Sequence, residues 1–454
     1  MNHLRSVAIA AAALAALPAL AQQQYPATLA GHSILPAATY VPAPADAPAA
    51  LQTSGKFTAP DRKRVTAIGS IRGVDSASDP KAPRTTGIDL PFTGQPVQGF
   101  SGIKKVGDGT FWVLTDNGFG SKVNSPDAAL MFHQVRPDWT GGKTSLLKTN
   151  FLHDPDKVIP FAIVNEGTAA RYLTGSDFDI ESIQPVGDAV YFGDEFGPYL
   201  IRADRTGKIT GFWETKLDGA VLRSPDNYMI STPPAPGPVA FQVRRSKGFE
   251  GMAASPDGSK LYPLLEGPVW DAKTNNWEMK EGRQYLRILE FDVQKGDWTG
   301  KSWKYPLEAN GNAIGDFNMI DATSGLIIER DDGEGDAAKA CAGEAKPDCF
   351  NMPAKFKRVY KIDMAQADGE GFVKKVGYID LMAINDPDKK ARVPLTDGKL
   401  TFPFFTIENV EVIDAEHILV GNDNNLPFSS GRAIGRADDN EFVLLKAAEL
   451  LKAK

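Results

Sequence analysis

Phe249-Glu250-Gly251-Met252-Ala253-Ala254-Ser255-Pro256-Asp257-Gly258-Ser259-Lys260-Leu261-Tyr262-Pro263-Leu264-Leu265-Glu266 decides the reading of this chain. Pro256-Asp257-Gly258 is turn chemistry: proline presets a backbone angle, aspartate bonds nearby amides, and glycine accepts a positive φ. The apolar runs on either side are too short for typical helices. The stretch therefore reads as a β-hairpin with a glutamate at each end. Both ends of a hairpin lie on one edge of its sheet, so Glu250 and Glu266 share that edge.

Four other stretches repeat the pattern. They begin at Ser101-Gly102-Ile103, Glu181-Ser182-Ile183, Asn318-Met319-Ile320 and Glu408-Asn409-Val410. They end at Asp116-Asn117, Asp194-Glu195, Glu329-Arg330-Asp331 and Asn422-Asp423. Turns at Asp108-Gly109 and Ser324-Gly325 and short apolar runs such as Phe111-Trp112-Val113-Leu114 support the same hairpin. Further strand pairs follow, as at Tyr199–Asp204 and Leu286–Asp292, so each unit offers roughly four strands. The starts fall 80, 69, 68 and 90 residues apart. That exceeds the ~40–50 residues of a compact propeller blade, so long insertions are required. Residues 221–247, 332–357 and 385–403 are the candidates. Radial repetition of four-stranded sheets is the usual solution to such a pattern.

The expected fold is all-β: a β-propeller with five visible four-stranded blades and long loop insertions. A sixth blade could lie within an insertion. A strand near Val65–Ile71 is expected to close the ring against Glu441–Leu445. A two-sheet sandwich with long loops is the alternative, but it leaves the repetition unexplained.

The first residues read as a signal peptide, 1–21, with Arg5 as the positive flank and Val7–Leu20 as the apolar region. Cleavage is expected after Ala21, within a run of small residues, giving a periplasmic or secreted protein. Residues 22–60 are rich in Ala, Pro and Gln and read as an N-terminal arm. The propeller domain is assigned to 61–454. Removing Arg5 leaves 49 of the 50 basic residues against 57 acidic ones. Such a mild negative balance gives no sign of nucleic-acid or anionic-membrane binding. No later segment is apolar enough for a membrane span, and a monomer is expected. Cys341 and Cys349 flank a loop with Gly343 and Pro347, so a small disulfide is the favoured reading in an oxidising compartment.

In a propeller, both hairpin ends lie near the central channel on one face. The candidates there are Glu181, Glu250 and Glu408, with Ser101 and Asn318 as variants. From the second position come Asp116, Asn117, Asp194, Glu195, Glu266, Glu329, Asp331, Asn422 and Asp423. Crowded carboxylates need a cation between them or take up protons. The expected metal ligands are Glu181, Glu195, Glu250, Glu266, Glu329, Asp331, Glu408 and Asp423. An all-oxygen set suits Ca²⁺, with Mg²⁺ or Mn²⁺ as alternatives. Turn capping is the competing role for such acids, and Asp108 and Asp257 are assigned to it. Arg330 and Lys247 are candidate contacts to an anionic substrate, and Glu250 is the candidate base. Arg330 is about as well explained by a salt bridge to its acidic neighbours. No G-x-S-x-G elbow, H-E-x-x-H motif or P-loop occurs.

Asp194-Glu195-Phe196-Gly197-Pro198-Tyr199, Lys247-Gly248-Phe249-Glu250-Gly251-Met252, Ile328-Glu329-Arg330-Asp331, Glu408-Asn409-Val410 and Asn422-Asp423-Asn424-Asn425 together resemble the phytase-like (esterase-like activity of phytase) family. The likeness runs from about residue 65 to 447. It departs from the family pattern at Asn422, where an acid is expected, and at Val410-Glu411. The resemblance implies a secreted β-propeller with a phosphoesterase role. The leading expectation is a calcium-dependent hydrolase acting on a small phosphate ester. Metal-dependent hydrolysis of a carboxylic ester or lactone, and non-catalytic ligand binding, are the alternatives.

Overall fold

The computed structural model describes residues 22–454. The expected signal peptide lies outside the described residues. The decisive hairpin forms as Phe249–Ala254 paired antiparallel with Lys260–Leu265. Its turn works as the sequence implies. Asp257 accepts from the Ser259 amide at 3.0 Å and from Ser255 Oγ at 2.6 Å, and Gly258 takes a φ of 69°. Arg283–Asp292 and Asp297–Pro306 extend this sheet outward.

The same meander recurs. One sheet comprises Phe100–Gly107, Thr110–Thr115, Met131–Asp138 and Lys143–Phe151. The next comprises Ile180–Val186, Ala189–Asp194, Tyr199–Asp204 and Ile209–Glu214. After the Phe249 sheet comes Ala313–Met319, Ser324–Arg330, Lys357–Asp363 and Lys374–Asp380. The last has Ile407–Val412, His417–Asn422 and Asn440–Lys446, completed by Thr28–Leu35 from the other end of the chain. The architecture is all-β and propeller-like.

A separate apolar core lies between each sheet and the next. Trp112, Leu114 and Phe132 pack on Ile183 and Phe192 between the first two. Tyr191 and Leu200 meet Met252 and Leu261 between the second and third. Leu264 and Ile288 meet Phe317 and Ile327, and Leu326 and Ile328 meet Ile407 and Val420. Leu419 and Phe442 return to Phe100 and Val113, which joins the last sheet to the first. Side chains on both faces of each sheet are therefore buried, which explains the near-continuous apolar runs.

The closing strand differs from the expected one. Ile71–Val74 pairs locally with Thr85–Leu90 and takes no part in closure. Thr28–Leu35 pairs with Asn440–Lys446 instead, and Gln24–Tyr25 adds to the outer edge of the fourth sheet. Residues 22–60 are thus not a free arm. The physical reason is that Thr28–Leu35 buries most of its length, and Ala/Pro-rich flanks hid one short strand. His32 Nε2 lies 3.0 Å from Glu441 Oε2, and Arg432 Nη2 donates to the same oxygen at 2.7 Å.

The insertions are loops, and 332–357 carries the Cys341–Cys349 disulfide, with Cα atoms 5.0 Å apart. Among the described residues no helix is long and apolar enough to cross a membrane.

Candidate metal centre

The pairing of each inner strand with its neighbour slips at the same place. The slips fall between Ile180 and Ser182, Phe249 and Gly251, and Ile407 and Asn409. In the fourth sheet the slip lies between Ile314 and Phe317, and in the first between Phe100 and Ile103. The skipped residues are Glu181, Glu250 and Glu408, then Gly315-Asp316, then Ser101-Gly102. A β-bulge leaves its extra residue unpaired and re-aims the side chain. Three of five bulges thus present a glutamate.

The outgoing strands complete the pattern. Thr115, Asp194, Leu265, Glu329 and Asn422 pair with the inner strands at Phe100, Ile180, Phe249, Ile314 and Ile407, the residue before each slip. One residue further stand Asp116, Glu195, Glu266, Arg330 and Asp423. Four sheets place an acid there, and the fourth places an arginine. The inner strands also approach closely. A Cβ on Gly315 would lie 2.2 Å from the Ile407 carbonyl oxygen.

These positions converge. Carboxylate oxygens of Glu181, Glu250 and Glu408 can lie within 4.8 Å of one another, as can those of Glu195, Glu250 and Glu266 and those of Asp179, Glu181 and Glu195. All six residues are buried. Glu250 Oε1, Glu195 Oε1 and Asp179 Oδ1 are buried with no hydrogen-bond partner. Leaving a buried carboxylate oxygen unpaired is costly. Arg330 Nη2 donates to Glu408 Oε1 at 3.2 Å and lies 3.9 Å from Glu266 Oε1, while Nη1 meets Asp332 Oδ1 at 3.1 Å. Lys247 Nζ pairs with Glu266 Oε2. Ser101 Oγ donates to Glu408 Oε2 at 2.9 Å.

The electrostatics record the crowding. Burial, then the charges of Glu408, Glu266 and Glu195, push Glu250 well above the ordinary carboxyl range. Burial, then Asp179 and Glu250, does the same to Glu181. Glu195 is raised by burial and then by Glu266, and Asp116 by burial, Asp423 and Asp179. Asp423 is pushed up to about 7 by burial and then Glu408. Burial works against the charge of Lys247, but Glu266 and Glu195 more than offset it and raise its pKa. An oxygen-only donor set with unpartnered buried oxygens fits a hard divalent cation, which would reverse these shifts.

Five of the eight expected ligands, Glu181, Glu195, Glu250, Glu266 and Glu408, stand in these groups. Asp423 borders them, held by Thr406 Oγ1 at 3.1 Å. Glu329 and Asp331 do not join. Strand alternation turns Glu329 away from Arg330, and Tyr305, Asn312, the Glu308 amide and Lys375 all donate to it. Asp331 pairs with Lys357 Nζ at 3.1 Å and accepts from the Lys355 and Phe356 amides. Asn318 also lies deeper than expected, because the fourth bulge sits at Gly315-Asp316. There Asp316 accepts from the Val410 and Phe317 amides, and Asn318 bridges Gln184 and Lys104. Asp194 caps a turn through the Gly197 and Asp179 amides. Asp179 was missed, although Asp179-Ile180-Glu181 has the i, i+2 spacing that puts two acids on one strand face.

An uncharacterized secreted protein of Arthroderma benhamiae is 25% identical over 138 residues, which is 26% of this chain. The match spans about a quarter of that relative's length (24%). Among solved structures, regucalcin from Agrobacterium tumefaciens, a calcium-binding protein, has a TM-score of 0.31 at 13% identity, covering 77% of this chain and 91% of its own. The periplasmic gluconolactonase of Pseudomonas aeruginosa has a TM-score of 0.27 at 13% identity, covering 82% and 98%. Likenesses at these scores carry no argument about the site. Residues 95–426 match the family described as Phytase-like, esterase-like activity of phytase. With the match covering most of the chain, this protein belongs to the phytase-like family.

Proposed function

We propose that the chain is an exported five-bladed propeller hydrolase that cleaves a small phosphate ester with the help of a divalent cation. One observation carries this reading: six buried acids from three hairpins converge, and three of their oxygens have no partner. Glu181, Glu250 and Glu408, with Glu195, Glu266 and Asp179, would hold the ion. Calcium suits a set of six or more oxygens contributed by separate strands, and magnesium or manganese is the alternative. When bound, such an ion would neutralise substrate oxygens and make water more acidic. Export is supported by the leader-like start, the disulfide and the secreted relative.

The chain's own residues supply the rest. Arg330 reaches the centre from the one sheet that lacks an acid there, so its guanidinium is the donor for phosphoryl oxygens. Lys247 stands beside it and is 42% exposed along its side chain. Glu250 Oε1, which has no hydrogen-bond partner, would take a proton from water. The water oxygen then bonds to phosphorus and the ester P–O bond breaks. The departing alkoxide takes up the proton that Glu250 removed from water, so alcohol and phosphate leave and the carboxylate is restored.

Hydrolysis of a carboxylic ester or lactone is the second reading. It is favoured by the pairing of Arg330 with Glu408 and of Lys247 with Glu266, which leaves these cations partly neutralised before substrate arrives. Release of phosphate from phytate and simple phosphate esters, with calcium or with chelator, separates the two. Calcium-dependent phosphate release is expected. Turnover of lactones or aryl esters alone would favour the second reading, and no metal-dependent turnover of any ester would leave only a binding role.

A further inference from the structure

A cavity of about 440 Å³ opens beside the acidic centre. Glu266 lines the cavity and also belongs to the centre, so the two share a wall. Arg244, Lys247, Gln284 and Asp332 stand on its walls. Lys247 is engaged by Glu266, and Asp332 by Arg330. Arg244 differs from both. Its guanidinium carbon lies 4.3 Å from the centroid of the Trp277 ring. Among the described residues no carboxylate pairs with it, although its neighbour Arg245 pairs with Asp226. Trp277 is itself fixed, edge-on to Trp270 at 5.2 Å across a short hairpin. Aromatic stacking orients a guanidinium without consuming its N–H donors. An acidic chain, with 57 acidic against 50 basic residues, has thus kept one oriented arginine without an acid beside its catalytic candidate.

We propose that Arg244 sets substrate specificity by receiving an anionic group on the leaving alcohol. The phosphoryl end lies at the acidic centre and the leaving group fills the cavity. Its volume falls within the range that small-molecule sites use. A guanidinium fork recognises a carboxylate or a second phosphate in the same bidentate way. This inference rests on the phosphoesterase reading.

A matched pair of substrates tests it. Glycerol 3-phosphate and 3-phosphoglycerate differ in whether the leaving group is neutral or carries a carboxylate. With the calcium-loaded full-length protein, 3-phosphoglycerate should have the higher kcat/KM. Arg244→Gln should raise KM for 3-phosphoglycerate by roughly tenfold or more, the weight of a charged hydrogen bond. Its kcat and the kinetics on glycerol 3-phosphate should stay within about twofold. Arg244→Lys should recover part of the loss, because it restores the charge but not the fork. Equal changes on both substrates, or none on either, would overturn the role of Arg244 while leaving the hydrolase reading intact. Phosphate release by the wild type from neither ester, nor from phytate, would sink both.

Discussion

Glu181, Glu195 and Glu250 each belong to two of the three acidic groups, and of these Glu250 is also the candidate base. Without a cation its charge is opposed by burial and by three neighbouring glutamates. Glu250→Gln keeps the shape and removes the charge. In chelator the variant should melt no lower than wild type, and the rise in Tm on adding calcium should fall by at least half. Ligand-linked stability follows RT ln(1 + [L]/Kd), so scanning calorimetry at two calcium concentrations reads this directly. Turnover should drop ~100-fold or more. Arg330 gives the complementary result. Arg330→Gln removes a cation from among the acids, so calcium should bind more tightly while phosphate esters turn over more slowly. Titration calorimetry beside steady-state kinetics checks the pair, and weaker calcium binding would show that Arg330 orders the ligands. Most of these acids were legible, because turn chemistry did not require them. Glu329 and Asp331 fall outside the acidic groups because adjacent residues on a strand face opposite ways, and the phase could not be fixed without knowing the register. A single place along Ile-Ile-Glu-Arg-Asp decides whether Glu329 or Arg330 meets the channel.

At the scale of the element, the recurring bulge is what brings a glutamate into the acidic groups. Hairpins alone put both ends on one edge; the extra residue in each inner strand aims the side chain at the axis. The sequence carries the hairpins openly in Pro256-Asp257-Gly258 and its counterparts. It hides the bulge, because one added residue barely perturbs a short alternating run. Gly315 marks where the inner strands crowd most. Gly315→Ala would force a methyl group against the Ile407 carbonyl at 2.2 Å, and overpacking of this kind costs about 1–3 kcal/mol. Denaturant titration should give a lower midpoint with an unchanged m value. A neutral result would mean that the fourth and fifth inner strands separate easily.

At the scale of the molecule, pH reports on burial outside the centre. His133 is fully buried between Thr115 Oγ1 and Thr149 Oγ1, and burial lowers its pKa to about 3. Unfolded, it titrates near 6.5. The unfolded chain therefore binds more protons between those values. Stability from this group is complete above about pH 6.5 and is lost as pH falls toward 3. The loss is ~3 kcal/mol by pH 4, from the ~1.4 kcal/mol that each pH unit carries. His133→Gln should lack this slope, and the difference between the two proteins' denaturation curves isolates it from other groups. The Thr28–Leu35 strand has a further consequence, one of timing. Its partner contact from His32 to Glu441 joins residues 409 apart. The fifth sheet cannot complete until Asn440–Lys446 has been made, since ordering the early strand is rewarded only by the late one. A nascent chain therefore keeps the seam of its ring unsealed until Asn440–Lys446 emerges to meet Thr28–Leu35.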